Sequence, residues 1–297
     1  EEFNNYATAN HILSIRGIMN GTCNYMLTKM INEGIDYDTI LKESQELGYA
    51  EADPTFDVEG IDAAHKLTIL ASIAYGIPLQ FEKIYTEGIS KLNLIDVAYA
   101  QELCYRIKHL GIAKRTPAGL ELRVHPTLIP GKRLIANVDG VMNAVLVKGD
   151  AVGNTLHYGA GAGAEPTASA VVADIIDVAR TFEADASIRT PSLGFQSDSI
   201  VEQNIVAVDQ FETAYYLRFE VNDVAGVMSK LSAQFAEQGI SIEAITQKEP
   251  KTGDDFVSVI FITQVTTEGL VNQAIKNIQA MDHIRSAAVK IRVEHFN

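Results

Sequence analysis

The sequence predicts an α+β protein in two parts: helices with a mixed β-sheet, then a smaller unit of order βαββαβ. Three observations carry this. Apolar residues recur at helical spacing through about residue 103, and short β-type runs follow between 105 and 158. Strand and helix periods then alternate again from Leu217 to Val293. The 297-residue length suits about two domains, and a composition 47% hydrophobic and 21% charged suits a protein that buries a good core.

In chain order, EEFNNYATANHILSIRGIMNG lacks an initiator Met and enters the strand-like ILSIRGI directly, as the middle of a longer polypeptide would. Residues 22–32 form an apolar-periodic helix ended by Gly34, and a second helix, about 38–47, is closed by Gly48. A third spans 61–75 ahead of Gly76 and Pro78, and a fourth lies around 96–103. Residues 105–113, 120–125, 134–138, 144–148 and 155–158 read as strands. GAGAGAEPTASAVVADIIDVA then gives a glycine-rich turn, Pro166 near a helix start, and an apolar helix to about Phe182. The polar stretch 184–212, with Pro191 and Gly194, reads as a linker, so the expected domains are 1–185 and 213–297 with a linker over 186–212.

The last part is the clearest. Leu217, Phe219 and Val221 alternate with polar residues, and Asp223 leads a helix in which Val227, Leu231 and Phe235 recur before Gly239. Ile240, Ile242 and Ala244 alternate again, and Gly253, Asp254 and Asp255 mark a hairpin turn into FVSVIFITQ. A helix over 268–281 and a strand over 286–293 complete a ferredoxin-like split unit.

Residues 48–70, GYAEADPTFDVEGIDAAHKLTIL, carry the chemistry. Glu51, Asp53, Asp57 and Asp62 precede Lys66, and Asp62 and Lys66 emerge on one face of the third helix. On a solvated face such a pair contributes only about 0.3–0.5 kcal/mol. The preceding GYAEADPTFD is too acidic for core and too rich in turn formers for a helix, and it ends at Gly60 before the apolar stripe Ile61, Ala64, Leu67, Ala71, Ala74. An acidic loop leading into a helix with a lysine one turn inside suits a small, cationic, hydroxyl-bearing substrate. A lysine there can protonate a developing alkoxide.

A formal net charge of −14 argues against nucleic acid and anionic membranes as partners. No run approaches the roughly 20 apolar residues of a membrane span, and no signal-peptide core opens the chain. Cys23 and Cys104 have no metal-type spacing and read as inert packing in a reducing, cytoplasmic compartment. The seven histidines are scattered, so no metal site is expected. Gly159-x-Gly161-x-x-Ala164 formally satisfies a dinucleotide fingerprint, but no strand with an acidic residue follows its helix as a βαβ unit requires. A tight turn that lets backbone approach a cofactor held elsewhere is the better reading.

GIMNGTCNYML (17–27), LGYAEADPTFDVEGIDAAHKL (47–67) and GAGAGAEPTASAVVADI (159–175) together resemble homoserine dehydrogenase over about residues 10–183, and the final unit resembles an ACT domain. The resemblance implies NAD(P)-dependent interconversion of L-homoserine and L-aspartate 4-semialdehyde, with Lys66 as proton donor and Asp62 orienting it. It implies that Glu51 and Asp57 hold the substrate ammonium, that Gly21, Thr22 and Tyr49 contact the substrate, and that Gly161 and Gly163 lie against NAD or NADP. His125 matches a histidine of auxiliary role. The resemblance further implies that the family's N-terminal nucleotide-binding domain lies outside this chain, so that most of the cofactor is held elsewhere. The apolar helix 165–182, which packs on that domain in the family, is then expected to be exposed. Asn222, Asp223, Val224, Ala225 and Gly226 fall at the ACT effector loop, with threonine the expected effector and a homodimer or homotetramer the expected assembly. Asp223 can equally be a helix cap worth about 1 kcal/mol. A non-catalytic amino-acid sensor that keeps the pocket without the cofactor domain shares every one of these motifs.

Overall fold

In the computed structural model the described residues are 9–182, 191, 193–248 and 256–296. The turn expected at Gly253, Asp254 and Asp255 lies outside them. β1 (Ile12–Ile18) leads to α1 (Gly21–Glu33), α2 (Tyr37–Glu46), the one-turn α3 (Thr55–Val58) and α4 (Ile61–Tyr75). β2 (Tyr85–Thr86), α5 (Leu94–Glu102), β3 (Tyr105–Thr116), β4 (Gly119–Pro130), β5 (Met142–Gly149), β6 (Gly153–Ala160) and α6 (Ala164–Thr181) follow. The remainder is β7 (Glu212–Asn222), α7 (Val227–Glu237), β8 (Ile242–Gln247), β9 (Phe256–Thr263), β10 (Thr266–Thr267), α8 (Glu268–Gln279) and β11 (Val289–Val293).

The helix ends follow from local chemistry. The side chains of Asn20, Asp36 and Asn93 each accept a backbone N–H three residues on, satisfying a donor that the first turn leaves without a partner. α1 and α4 stop at Gly34 and Gly76, whose left-handed backbone costs glycine little.

The two parts expected from sequence share one 11-stranded sheet, ordered β6-β5-β1-β3-β4-β11-β7-β9-β8, with β2 paired to β4 and β10 to β7 off this path. The join is parallel: Arg292 and Val293 of β11 register with Thr127 and Leu128 of β4. They also share a core. Cys23, Met26, Leu27 and Met30 of α1 and Val97 of α5 pack with Tyr216, Ile260, Ile262, Ile291 and Val293 of the final unit. The opposite face of that unit's strands packs on α7 and α8 through Leu217, Phe219, Leu231, Phe235, Phe261 and Ile278.

Several expectations need correction. Residues 134–138 are not a strand: Leu134–Asn137 is a 3-10 helix whose Ile135 and Ala136 are buried. The acidic loop does hold a helical turn, α3, with Pro54 at its N-cap and the Asp53 carboxylate accepting from the backbone N–H of Thr55 at 3.1 Å. Asp223 does not cap α7, since Gly226 takes that position with φ +89°. The supposed linker is docked over its described part. Val201 N–H donates to the Gly76 carbonyl and Val206 N–H to that of Leu120, so the segment is pinned to the end of α4 and to β4. Cys23 is buried, but Cys104 is exposed on left-handed backbone and is not core packing. No helix among the described residues is long and apolar enough to cross a membrane.

Candidate active site

α1 and α4 bring the acidic loop and the lysine together, and the residue between them is Asn20. Its Oδ1 accepts from Cys23 N–H at 2.8 Å, which caps α1 and settles the orientation of the carboxamide. Its Nδ2 then faces two carboxylates, donating to Asp57 Oδ1 at 2.8 Å and Asp62 Oδ2 at 2.9 Å. Lys66 Nζ donates to the same Asp62 oxygen at 2.7 Å and to the Met19 carbonyl at 2.9 Å. The lysine side chain is half exposed, and the third of its N–H bonds is available to a ligand.

Asp57 is the perturbed acid of the group. Burial pushes its pKa up, the neighbouring Asp62 and Glu51 add to this, and Asn20 and Lys66 oppose it. Behind it the buried Cys23 donates its thiol to the Asp57 carbonyl at 3.2 Å. Burial, aided by Asp57, Asp62 and Glu59, pushes that thiol up, so it stays protonated and unreactive.

Thr22 and Tyr49 meet directly, the hydroxyl donating to the Tyr49 carbonyl at 2.7 Å. The Tyr49 ring stands edge-on to Tyr25 at 5.0 Å, leaving the phenol of Tyr49 exposed beside the loop. Glu51 is exposed in the acidic loop. Gly21 is hemmed in: a Cβ there would fall 2.8 Å from the Val141 carbonyl. Asn143 ties the glycine-rich turn to the same place. Its Nδ2 donates to the Ile18 carbonyl at 3.0 Å, and its Oδ1 would lie 2.4 Å from a Cβ on Gly161 and 3.7 Å from one on Gly21. Gly163 has φ +116°, a conformation that suits glycine, and heads α6 without a side-chain cap.

Among the described residues the turn does not open a βαβ unit. β6 is an edge strand paired antiparallel to β5 alone, and the described residues contain no doubly wound parallel sheet. α6 is exposed along its length, with Val171, Val172, Ile175, Ile176 and Val178 all open.

His125 stands apart from this group. It is fully buried in β4, with Thr127 and the Pro126 carbonyl near Nδ1 and Arg123 near Nε2. Burial, with Arg292 and Arg123 beside it, drives its pKa well down, so it is a neutral packing residue. At the other end of the molecule, Asn222 accepts from Arg285, Gly226 starts α7, and Asp223, Val224 and Ala225 are exposed between them. Among the described residues no cluster of His, Cys, Asp and Glu is arranged to hold a metal ion.

Sequence reasoning missed Asn20, Met19 and Asn143. Only Asn20 carries a local signal, as a capping residue before GTCNYML. Its two carboxylate partners lie about 40 residues away, beyond the reach of any local pattern.

The chain matches the family model for homoserine dehydrogenase over residues 1–176 and that for the ACT domain over residues 215–280. It is 56% identical over 290 residues to the homoserine dehydrogenase of Pseudomonas aeruginosa, covering 98% of this chain and 67% of that protein. For the homoserine dehydrogenase of Neisseria gonorrhoeae the identity is 51% over 286 residues, covering 96% and 66%. The fold matches the crystal structure of a homoserine dehydrogenase from Thiobacillus denitrificans with a TM-score of 0.94 and 55% identity, over 99% of this chain and 67% of that one. The chain thus spans about two thirds of the length of the relatives it matches.

Proposed function

This chain belongs to the homoserine dehydrogenase family, and from that premise we propose that its acidic loop and Lys66 bind and protonate the substrate in NAD(P)-dependent interconversion of L-aspartate 4-semialdehyde and L-homoserine. The observation that carries this is the Lys66 ammonium, oriented by Asp62 and the Met19 carbonyl with one N–H left over. An aldehyde oxygen gains charge as its carbon is reduced, and an N–H donor already aimed at it stabilises that charge and supplies the proton. Asp57 and Glu51 suit the substrate ammonium, while Gly21, Thr22 and Tyr49 shape the wall beside it. Relatives that carry the family's name match nearly the whole of this chain, which does not favour a non-catalytic sensor.

A nicotinamide cofactor supplies the hydride when bound. The residues at 159–163 suit its ring end only: Gly159 has open space at its Cβ position and Gly163 carries no side chain, so backbone can approach closely. On this reading residues 159–163 meet the ring end alone, so the 297 residues by themselves should bind NAD(P) weakly. The exposed apolar face of α6 supports a packing partner outside the described residues.

The final unit, residues 213–297, is proposed as the regulatory ACT domain. Its strand order β11-β7-β9-β8 supports a ferredoxin-like layout. The loop over 222–226 is its proposed effector site, with threonine the expected ligand. Calorimetry with threonine tests this, and absence of binding removes it.

The main test is Lys66→Ala, assayed with homoserine and NAD(P). kcat should fall far more than homoserine affinity. An unchanged kcat would overturn Lys66 as proton donor.

A further inference from the structure

We infer that Asn20 is a positioning residue of the site: its carboxamide clamps Asp57 and Asp62 together, so that one carboxylate faces the substrate ammonium while the other holds Lys66. The inference rests on the substrate reading above and adds to it a residue that touches neither substrate nor reacting atoms.

The geometry leaves the carboxamide little choice. Oδ1 is committed to Cys23 N–H at 2.8 Å, which places Nδ2 on the side of the acids. A primary amide has two N–H bonds on that nitrogen, and each finds one carboxylate, at 2.8 Å and 2.9 Å. Asn20 is itself 5% exposed, so water does not replace these donors cheaply. Asp57 sits on α3 and Asp62 on α4, and two carboxylates this close repel unless a donor lies between them. Lys66 reaches only Asp62, so Asn20 is the group that bridges the pair.

The arrangement also has a charge logic. Asp57, Asp62 and Lys66 sum to one negative charge, which a substrate ammonium neutralises. An aspartate at position 20 would cap α1 equally well, because Asn and Asp are equivalent N-caps. It would, however, replace two donors with a third carboxylate. Capping therefore does not require Asn here, whereas bridging does.

The groups facing Asp57 are Asn20 and Cys23 of α1, Asp62 and Lys66 of α4, and Glu51 of the loop. Of these, Asn20 and Lys66 favour its charged form. Removing the Asn20 donor moves Asp57 further up, so binding of an ammonium substrate becomes weaker on the acid side.

The test compares Asn20→Ser and Asn20→Asp with the native sequence in the complete polypeptide. Both variants keep an N-cap on α1. Asn20→Ser is the milder change and carries the kinetic readout. Asn20→Asp, which sets a third carboxylate against Asp57 and Asp62, should also unfold at lower temperature. kcat/KM for homoserine should fall by about tenfold to a hundredfold, as expected for a misplaced catalytic pair. Its acid limb should also move to higher pH in Asn20→Ser. Wild-type kcat/KM in Asn20→Ser, or a loss of activity with an unmoved pH profile, overturns the positioning role. Failure of the native polypeptide to bind or oxidise homoserine would instead overturn the substrate reading itself.

Discussion

Arg218 on β7 grips Asp96 on α5, with Nε 2.6 Å from Oδ1 and Nη2 3.1 Å from Oδ2, both residues buried. The Tyr216 hydroxyl donates to the same carboxylate at 2.9 Å. Burial alone would lower the Arg218 pKa, but Asp96 overrides it and raises the value, so the guanidinium stays charged. This fork fastens β7 of the final unit to α5. Asp96→Ala would leave a buried arginine and a phenol without their acceptor. The expected cost is about 3–5 kcal/mol in urea unfolding, and a change below about 1 kcal/mol would show that water or Glu220 compensates.

Gly88 has no room for a side chain. A Cβ would fall 2.4 Å from the Val58 carbonyl and 2.6 Å from the Glu59 Cα, both backbone of the α3 turn. Gly88→Ala should push α3 outward, costing about 1–3 kcal/mol of stability. Because Asp57 rides on α3, KM for homoserine should rise with it. Normal stability with a normal KM would mean the turn tolerates the displacement.

Two buried histidines set an acid dependence. Burial lowers the pKa of His109 below its ordinary 6.5, and burial with Arg292 and Arg123 lowers that of His125 further. In the unfolded chain both rings take up a proton near pH 6.5, while in the folded protein they do not. The unfolded state therefore binds more protons below that pH, and stability declines as pH falls, by up to about 1.4 kcal/mol per pH unit for each ring. The urea midpoint should drop as pH falls from about 7.5 to 5.5. His125→Gln and His109→Gln should each flatten the slope. A pH-independent midpoint across that window would show that the rings protonate in place.

Glu268 and Glu294 add a second loss at lower pH. Burial would raise both values, but Arg292 and Lys290 hold Glu268 below the usual carboxylate range, and Arg16 and Arg123 do the same for Glu294. The stability they contribute is present above the unfolded pKa of about 4.3 and is lost as pH falls through the folded values. A fall in midpoint that ended above pH 5 would exclude this contribution.

Much of the site was legible in sequence. The third helix runs from Ile61 to Tyr75 as expected, and Lys66 pairs with Asp62 because side chains four apart share a helix face. The glycine stops at Gly34 and Gly76 were equally readable, since left-handed backbone leaves a local mark. Misreadings fell where burial competed with local preference. Leu134–Asn137 has strand-like composition, yet it curls to bury Ile135 and Ala136 beside Ile112 and Ile129 of the sheet. His125, matched to a histidine of auxiliary role, shows in sequence neither its burial nor the two arginines beside it, which keep the ring neutral.

By itself the sequence determined most of the elements, among them the acid–lysine helix and the alternation of strands and helices after Leu217, because periodicity and capping act within a few residues of chain. Tertiary structure alone decided that β11 joins β4, that α1 packs against the strands of the final unit, and that Asn20 stands between Asp57 and Asp62. Those choices depend on which faces find each other across a hundred residues or more, or on donors meeting acceptors from separate helices. No local pattern encodes that.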